Sequence, residues 1–243
     1  MFEKDEIYGF IIEEVKSLMK NIDRAPRLLT IRWDSLFECV SYIIKHYQNI
    51  NQNSNIADSL KKIEDTIGWE QLHDLLAIMD KFIKSVEKDL ATISDVGFHF
   101  LIAYNRLIEM NTPASLKLSE HFRIRFMKKN HLRLPLFAFL MTQAGLQYFR
   151  SNPNSADFIK GNAITGIKEY MKNRGIQSPI FGNNINSFQK YLSEFSIDEF
   201  TKFRTPIEMW KNLSQNIKKS NFPIYFIHLI IEVLQIPASE APV

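Results

Sequence analysis

The chain is predicted to be all-α: an irregular helical bundle or an array of stacked helix pairs, with about eleven helices and no significant sheet. Glycine is the first reason. There are 8 in 243 residues, about half of the usual ~7% share. Sheet-rich folds need turns with positive φ, which glycine supplies without steric cost. The second reason is periodicity, because apolar residues recur three and four apart through most of the chain. The third is punctuation. Hydroxyl, Asp and Asn residues stand before several of these runs, two of them followed directly by proline.

Each element follows from these signals. A first helix is expected over Asp5–Lys20, with Ile7, Ile11, Val15 and Leu18 on one side and Glu13, Glu14 and Lys16 on the other. Pro26 interrupts the pattern. Asp34 caps a second helix carrying Leu36, Phe37, Val40, Ile43, Ile44 and Tyr47. Asn49–Asn55 is polar and turn-like. A short helix over Ile56–Ile67 ends at Gly68. Trp69–Leu90 then gives the clearest stripe, Leu72, Leu75, Leu76, Met79, Ile83, Val86 and Leu90. Ser94 is the expected cap of a helix that buries Phe100, Leu101, Tyr104, Leu107 and Ile108.

Thr112-Pro113 opens a helix toward Asn130. Within it Phe122–Phe126 alternates with period two, too briefly to specify a strand. Pro135–Arg150 is expected as one helix with almost no polar face, and so as a central, buried one. Ser151-Asn152-Pro153 ends it. The next helix starts near Ser155 and stops at Gly175, a C′ residue. Gly175–Asn184 reads as a loop. Ser196…Glu199 and Thr205…Glu208 are spaced as capping boxes. The last helix covers Pro223–Gln235, and the tail beyond it is expected to be frayed or extended.

Composition bounds the rest. The chain is 45% apolar and 23% charged, with 19 Phe, 8 Tyr and 3 Trp to fill a core. A single domain over residues 1–243 is expected. The alternative is two lobes, because charge is uneven. Residues 1–100 hold 12 Lys and Arg against 17 Asp and Glu, whereas residues 101–243 hold 18 against 10. A split would give an acidic lobe over 1–110 and a basic one over 111–243. The single cysteine, Cys39, excludes an intramolecular disulfide. The longest uncharged run, Leu134–Phe149, is 16 residues and the strongly apolar run Ser220–Ile231 is 12, both short of the roughly 20 that span a bilayer. The start, MFEKDEIYGF, lacks a basic segment followed by an apolar one, so no secretory signal is read. A cytoplasmic location is the expectation.

Few residues point to chemistry. The phosphate-loop, dinucleotide, zinc-protease and nucleophile-elbow patterns are all missing. Glu70-x-x-His73 has the spacing of a di-iron carboxylate helix, but no second Glu-x-x-His accompanies it. A solvated helix face is the preferred reading. Cys39 needs a basic neighbour to act as a nucleophile. His46 lies two turns on, about 10 Å along a helix, so Cys39 is read as a small buried residue. His99 and His228, set in apolar runs, are read as core histidines. No cofactor and no metal are expected.

The outward-pointing feature is electrostatic. Between Glu120 and Asp157 there is no acidic residue, and the gap carries Arg123, Arg125, Lys128, Lys129, Arg133 and Arg150. Arg150, a helix length away, is assigned to a C-terminal turn, where a cation suits the helix dipole. The other five, interleaved with Phe122, Ile124, Phe126 and Met127, form a candidate contact surface. Within it Arg125 and His131 form R-x5-H, which resembles the R-x4-6-H signature of helical ribonucleases of the HEPN class. In those enzymes Arg and His act on the scissile phosphodiester. Ten Arg and six His produce about 0.7 such spacings from composition alone, so the spacing has little weight as a motif.

The sequence therefore favours a non-enzymatic interaction or regulatory protein. Its segment 121–133 would contact a protein or other anionic partner. A nucleic-acid-binding or RNA-cleaving helical protein using Arg125 and His131 is the alternative, followed by peripheral binding to anionic membranes.

Overall fold

The computed structural model describes residues 6–21, 33–50, 54–128, 133–176, 180–216 and 221–238. These residues are all-α, as predicted. They form α1 (Glu6–Asn21), α2 (Trp33–Ile50), α3 (Ser54–Thr66), α4 (Trp69–Val86), α5 (Ile93–Glu109), α6 (Pro113–Lys128) and α7 (Arg133–Leu140). Then come α8 (Gln143–Ser151), α9 (Pro153–Asn173), α10 (Ile180–Glu194), α11 (Asp198–Thr201), α12 (Pro206–Gln215) and α13 (Ile224–Leu234). The only extended pairing among the described residues is one antiparallel bridge, Thr92 with Pro237. Ile93 N–H donates to Ile236 O and Ala238 N–H to Ala91 O. Ile236–Ala238, expected to be frayed or extended, is thus tied down by backbone bonds.

The chain divides into two compact units, Met1–Lys84 with Asn105–Leu118, and Ser85–Tyr104 with Ser119–Val243. In the first, Val15 and Leu18 of α1, Cys39, Val40 and Ile43 of α2, Leu60 and Ile63 of α3, and Leu72 and Leu76 of α4 form one core. These are the residues the helical spacing selects. Trp69, at the head of α4, is buried and donates its indole N–H to Leu60 O at 3.2 Å. That bond fixes the α3–α4 corner. Gly68 makes the turn with φ +81°, a left-handed conformation that a side chain resists.

The second unit is built around α7, whose residues Pro135–Leu140 are all buried. Three helices reach its backbone through glycine. A Cβ on Gly97 of α5 would lie 2.4 Å from Pro135 O. One on Gly166 of α9 would lie 2.3 Å from the Arg133 carbonyl carbon, and one on Gly145 would meet the Phe139 carbonyl. The obstacles are backbone atoms, which cannot swing aside as a side-chain tip can.

The expected single helix Pro135–Arg150 is in fact two, α7 and α8, broken at Met141-Thr142. The apolar run predicts the burial of Pro135–Met141 correctly, but in α8 only Gly145 and Leu146 are buried, and it does not reveal the break, which local and tertiary bonds make together. Thr142 caps α8 by accepting the Gly145 N–H at 3.0 Å and donates its hydroxyl to Phe139 O at 2.7 Å. Leu140 O accepts the Tyr191 hydroxyl at 2.9 Å, and Met141 O accepts the Trp210 indole N–H at 2.9 Å. Every carbonyl freed at the break therefore has a partner. Arg150 does sit in the last turn of α8. Its guanidinium, however, donates to Leu192 O at 3.1 Å and Phe195 O at 2.7 Å, closing the C-terminus of α10.

Other boundaries shift for local reasons. α4 stops at Val86, and Leu90 is 92% exposed rather than part of the stripe. Ile108 is also exposed. Ser94 does not cap α5. Thr92 does, with its N–H and hydroxyl both on the Asp95 carboxylate at 2.7 and 2.8 Å. Of the two expected boxes, Thr205…Glu208 forms by half, with Glu208 N–H on the Thr205 hydroxyl at 3.2 Å, while the Glu208 carboxylate accepts the Arg204 N–H at 3.0 Å. At the other, Glu199 instead pairs with Lys202 at 2.6 Å, and Glu199 N–H bonds the Ser196 carbonyl. α10 begins at Ile180, inside the expected loop, and α9 at Pro153. Gly175 behaves as expected, with φ +68°. Its N–H bonds Lys172 O, and that of Ile176 bonds Met171 O, the two bonds of a Schellman turn.

Gly145→Ala should cost about 2–4 kcal/mol, the range of a steric insertion into a packed core or more, measured by urea unfolding. Gly161→Ala is the contrast. Gly161 lies exposed inside α9 with nothing near its absent Cβ, so stability should rise by about 0.5–1 kcal/mol. Tyr191→Phe should cost about 1–3 kcal/mol, since Leu140 O loses its buried donor.

Candidate functional site

The basic segment starts in the second half of α6. Phe122 is buried and stacks on Phe100 of α5, ring centres 4.7 Å apart and planes 20° from parallel. This contact sets the rotation of the helix. His121, one residue earlier, is exposed, and Arg123, one residue later, is half-buried. Arg125 and Lys128 follow His121 by four and seven residues, the spacing of one helix face, and both belong to α6. Lys129 and His131 lie outside the described residues, so the Arg125/His131 pair of the ribonuclease reading does too.

Two of the segment's cations are engaged by carboxylates. Arg123 makes a two-pronged contact with Glu120, Nε at 2.8 Å and Nη2 at 2.6 Å from its two oxygens. The Arg123 hydrogen bonds hold the Glu120 carboxyl below its ordinary value, and the same bonds raise Arg123. Arg133, at the head of α7, reaches Glu169 of α9 at 2.8 Å. Its Nε is buried with no partner among the described residues. The sequence placed Glu120 at the edge of the acid-free gap, and the helical i, i+3 spacing brings it onto Arg123. Glu169 is distant in sequence and could not have been matched to Arg133 from spacing.

A second cluster lines a cleft in the first unit, roughly 340 Å³ in volume, bounded by Ser41, Ile44 and Lys45 of α2 and Glu70, His73 and Asp74 of α4. The His73 ring packs on Phe37 with centres 5.1 Å apart, and its Nδ1 lies 3.6 Å from Asp74 Oδ1. Glu70 and His73 thus share a face, as their spacing implies. Among the described residues no group of three or more His, Cys, Asp or Glu is placed to hold a metal ion. Ser41 and Lys45 gave no signal in the sequence. They matter only because α2 turns this face toward α4.

The remaining candidates resolve individually. Cys39 is fully buried, and burial, helped by Glu38, pushes its thiol up to about 11. His46 packs against Tyr42, ring centres 4.5 Å apart. His99 is half-buried beside Phe98. His228 is exposed on α13, not a core histidine: the flanking Ile227 and Leu229 are buried, but its own position falls on the outer face. Near the end of α9, Tyr170 donates to Glu232 at 2.7 Å and Arg174 pairs with the same carboxylate, a clasp between α9 and α13. No described helix is long and apolar enough to cross a membrane.

No protein-family model, curated protein or solved structure matches this chain.

The Cys39 environment makes a direct prediction. In native protein at neutral pH the thiol should stay inert to a disulfide reagent such as DTNB, because the thiolate is the nucleophile and burial disfavours it. It should react fully once the protein is unfolded in guanidinium. Fast labelling of the native state would contradict this assignment.

Proposed function

We infer that this chain is a non-enzymatic helical binding protein whose basic segment 121–133 contacts an acidic surface on a protein partner. The observation that carries this reading is the charge balance of the segment. Arg123, Arg125, Lys128, Lys129 and Arg133 fall within eleven residues that contain no acidic residue, and among the described residues Glu120 and Glu169 engage Arg123 and Arg133. Such a run of positive charge attracts an anionic partner and speeds its encounter. The Phe122–Phe100 stack adds rigidity, since it anchors α6 from the inside. The Glu120 contact adds orientation, since it holds the Arg123 fork in one rotamer while leaving donors for a second acceptor. An acidic protein is preferred over RNA because the catalytic alternative rests on a spacing that composition alone supplies.

The test uses fluorescence anisotropy with labelled poly-L-glutamate, single-stranded RNA, and vesicles with and without phosphatidylserine. Poly-L-glutamate should bind and weaken steadily with salt. The variant R123E/R125E/K128E/K129E should lose about tenfold or more in affinity while keeping its thermal melting profile. Unchanged affinity in the folded variant removes the segment as the contact surface. Tight binding to RNA alone, with cleavage abolished by both Arg125→Ala and His131→Ala, would move the assignment to the ribonuclease reading.

A further inference from the structure

We propose that the α2–α4 cleft of the first unit is a binding site for a small zwitterion with surplus positive charge, of the L-lysine or L-arginine type. The cleft is independent of the basic segment. Its volume, roughly 340 Å³, is at the lower end of the ~300–1,000 Å³ range of small-molecule sites. Its two walls carry opposite charge. On α2 stand the Lys45 ammonium and the Ser41 hydroxyl, one turn apart on the same face. On α4 stand the carboxylates of Glu70 and Asp74, also one turn apart, with His73 between them.

Of these groups Lys45, Glu70 and Ser41 are not used up by the fold, whereas Asp74 Oδ1 lies 3.6 Å from His73 Nδ1. Lys45 and Glu70 are exposed and form no ion pair among the described residues. The Ser41 Oγ is buried and has no hydrogen-bond partner among them, an arrangement that native structures avoid unless something else meets the group. Ile44 supplies an apolar contact, and the His73 ring, held by its stacking on Phe37, gives a flat side.

Ligand chemistry follows from this layout. A purely anionic molecule would satisfy Lys45 and Ser41 but face two carboxylates. A purely cationic one would leave the Lys45 side unmatched. A molecule with a carboxylate at one end and an ammonium or guanidinium at the other satisfies both walls, its methylenes lying along Ile44 and His73. Two carboxylates against one ammonium set the preference for surplus positive charge.

Calorimetric titration of the full chain with L-lysine, L-glutamate and n-butylamine tests this. L-lysine should saturate with a dissociation constant between about micromolar and millimolar, more tightly than either of the others. Lys45→Ala and Glu70→Gln should each weaken it by about tenfold. Both residues are exposed, so melting curves should be unchanged, and backbone amide shifts on titration should cluster at residues 41–45 and 70–74. Absence of saturable L-lysine binding would overturn the proposal. So would L-glutamate binding tighter than L-lysine, or L-lysine binding indifferent to both substitutions.

Discussion

The second unit depends on how one broken helix keeps its carbonyls bonded. Leu140 and Met141 are fully buried at the break between α7 and α8, where a helix can no longer satisfy their C=O groups. An unpaired carbonyl there would weigh against the fold. The donors come from two other helices, the Tyr191 hydroxyl from α10 and the Trp210 indole from α12. Those side chains are themselves completely buried and lie in one aromatic cluster with Phe195, Phe222 and Phe226. One set of rings therefore both fills the core and caps the break. Burial also pushes the Tyr191 hydroxyl well above its ordinary value, so it remains a donor across ordinary pH.

The glycine contacts follow from the same arrangement. α7 is buried on every side, and its neighbours must come close enough to leave no void. Gly97, Gly145 and Gly166 permit that approach. In a chain poor in glycine, three of eight are spent on the backbone of one short helix. Arg150 shows the same economy in polar form. It leaves its own helix end to close that of α10, because the terminal carbonyls of Leu192 and Phe195 there accept a planar guanidinium.

Charge behaves differently from packing in this protein. The acid-free gap joins two unlike segments. Its second part, Leu134–Phe149, lacks charge because it runs through α7 and into α8, and α7 is core. Its first part is a run of basic residues, of which Arg123 pairs with Glu120 and Arg133 with Glu169. The cleft on the first unit is a further polar site, with the opposite balance of charge. The basic residues of 121–133 and the carboxylates of the cleft are thus separate features of the chain.

Most of the helices were legible because periodicity and caps are local. Thr112-Pro113, Thr205 and Gly175 each act within a turn, and each begins or ends its helix where its position implies. Ser94 and Ser196 failed because a nearby residue offered a better bond, Asp95 to Thr92 in one case and Lys202 to Glu199 in the other. The basic segment was legible as a run of charge, but not the Arg133–Glu169 pair, whose partners lie 36 residues apart. The cleft was invisible, since Ser41 and Lys45 acquire meaning only when α4 lies opposite. By itself the sequence determined the all-α class, the buried character of 135–141 and the run of positive charge along the chain, because all three are set by composition and short-range pattern. Tertiary structure alone decided which rings cap the break in the long apolar run and which side chains face one another across the cleft. Those outcomes depend on donors and walls brought together from residues far apart along the chain.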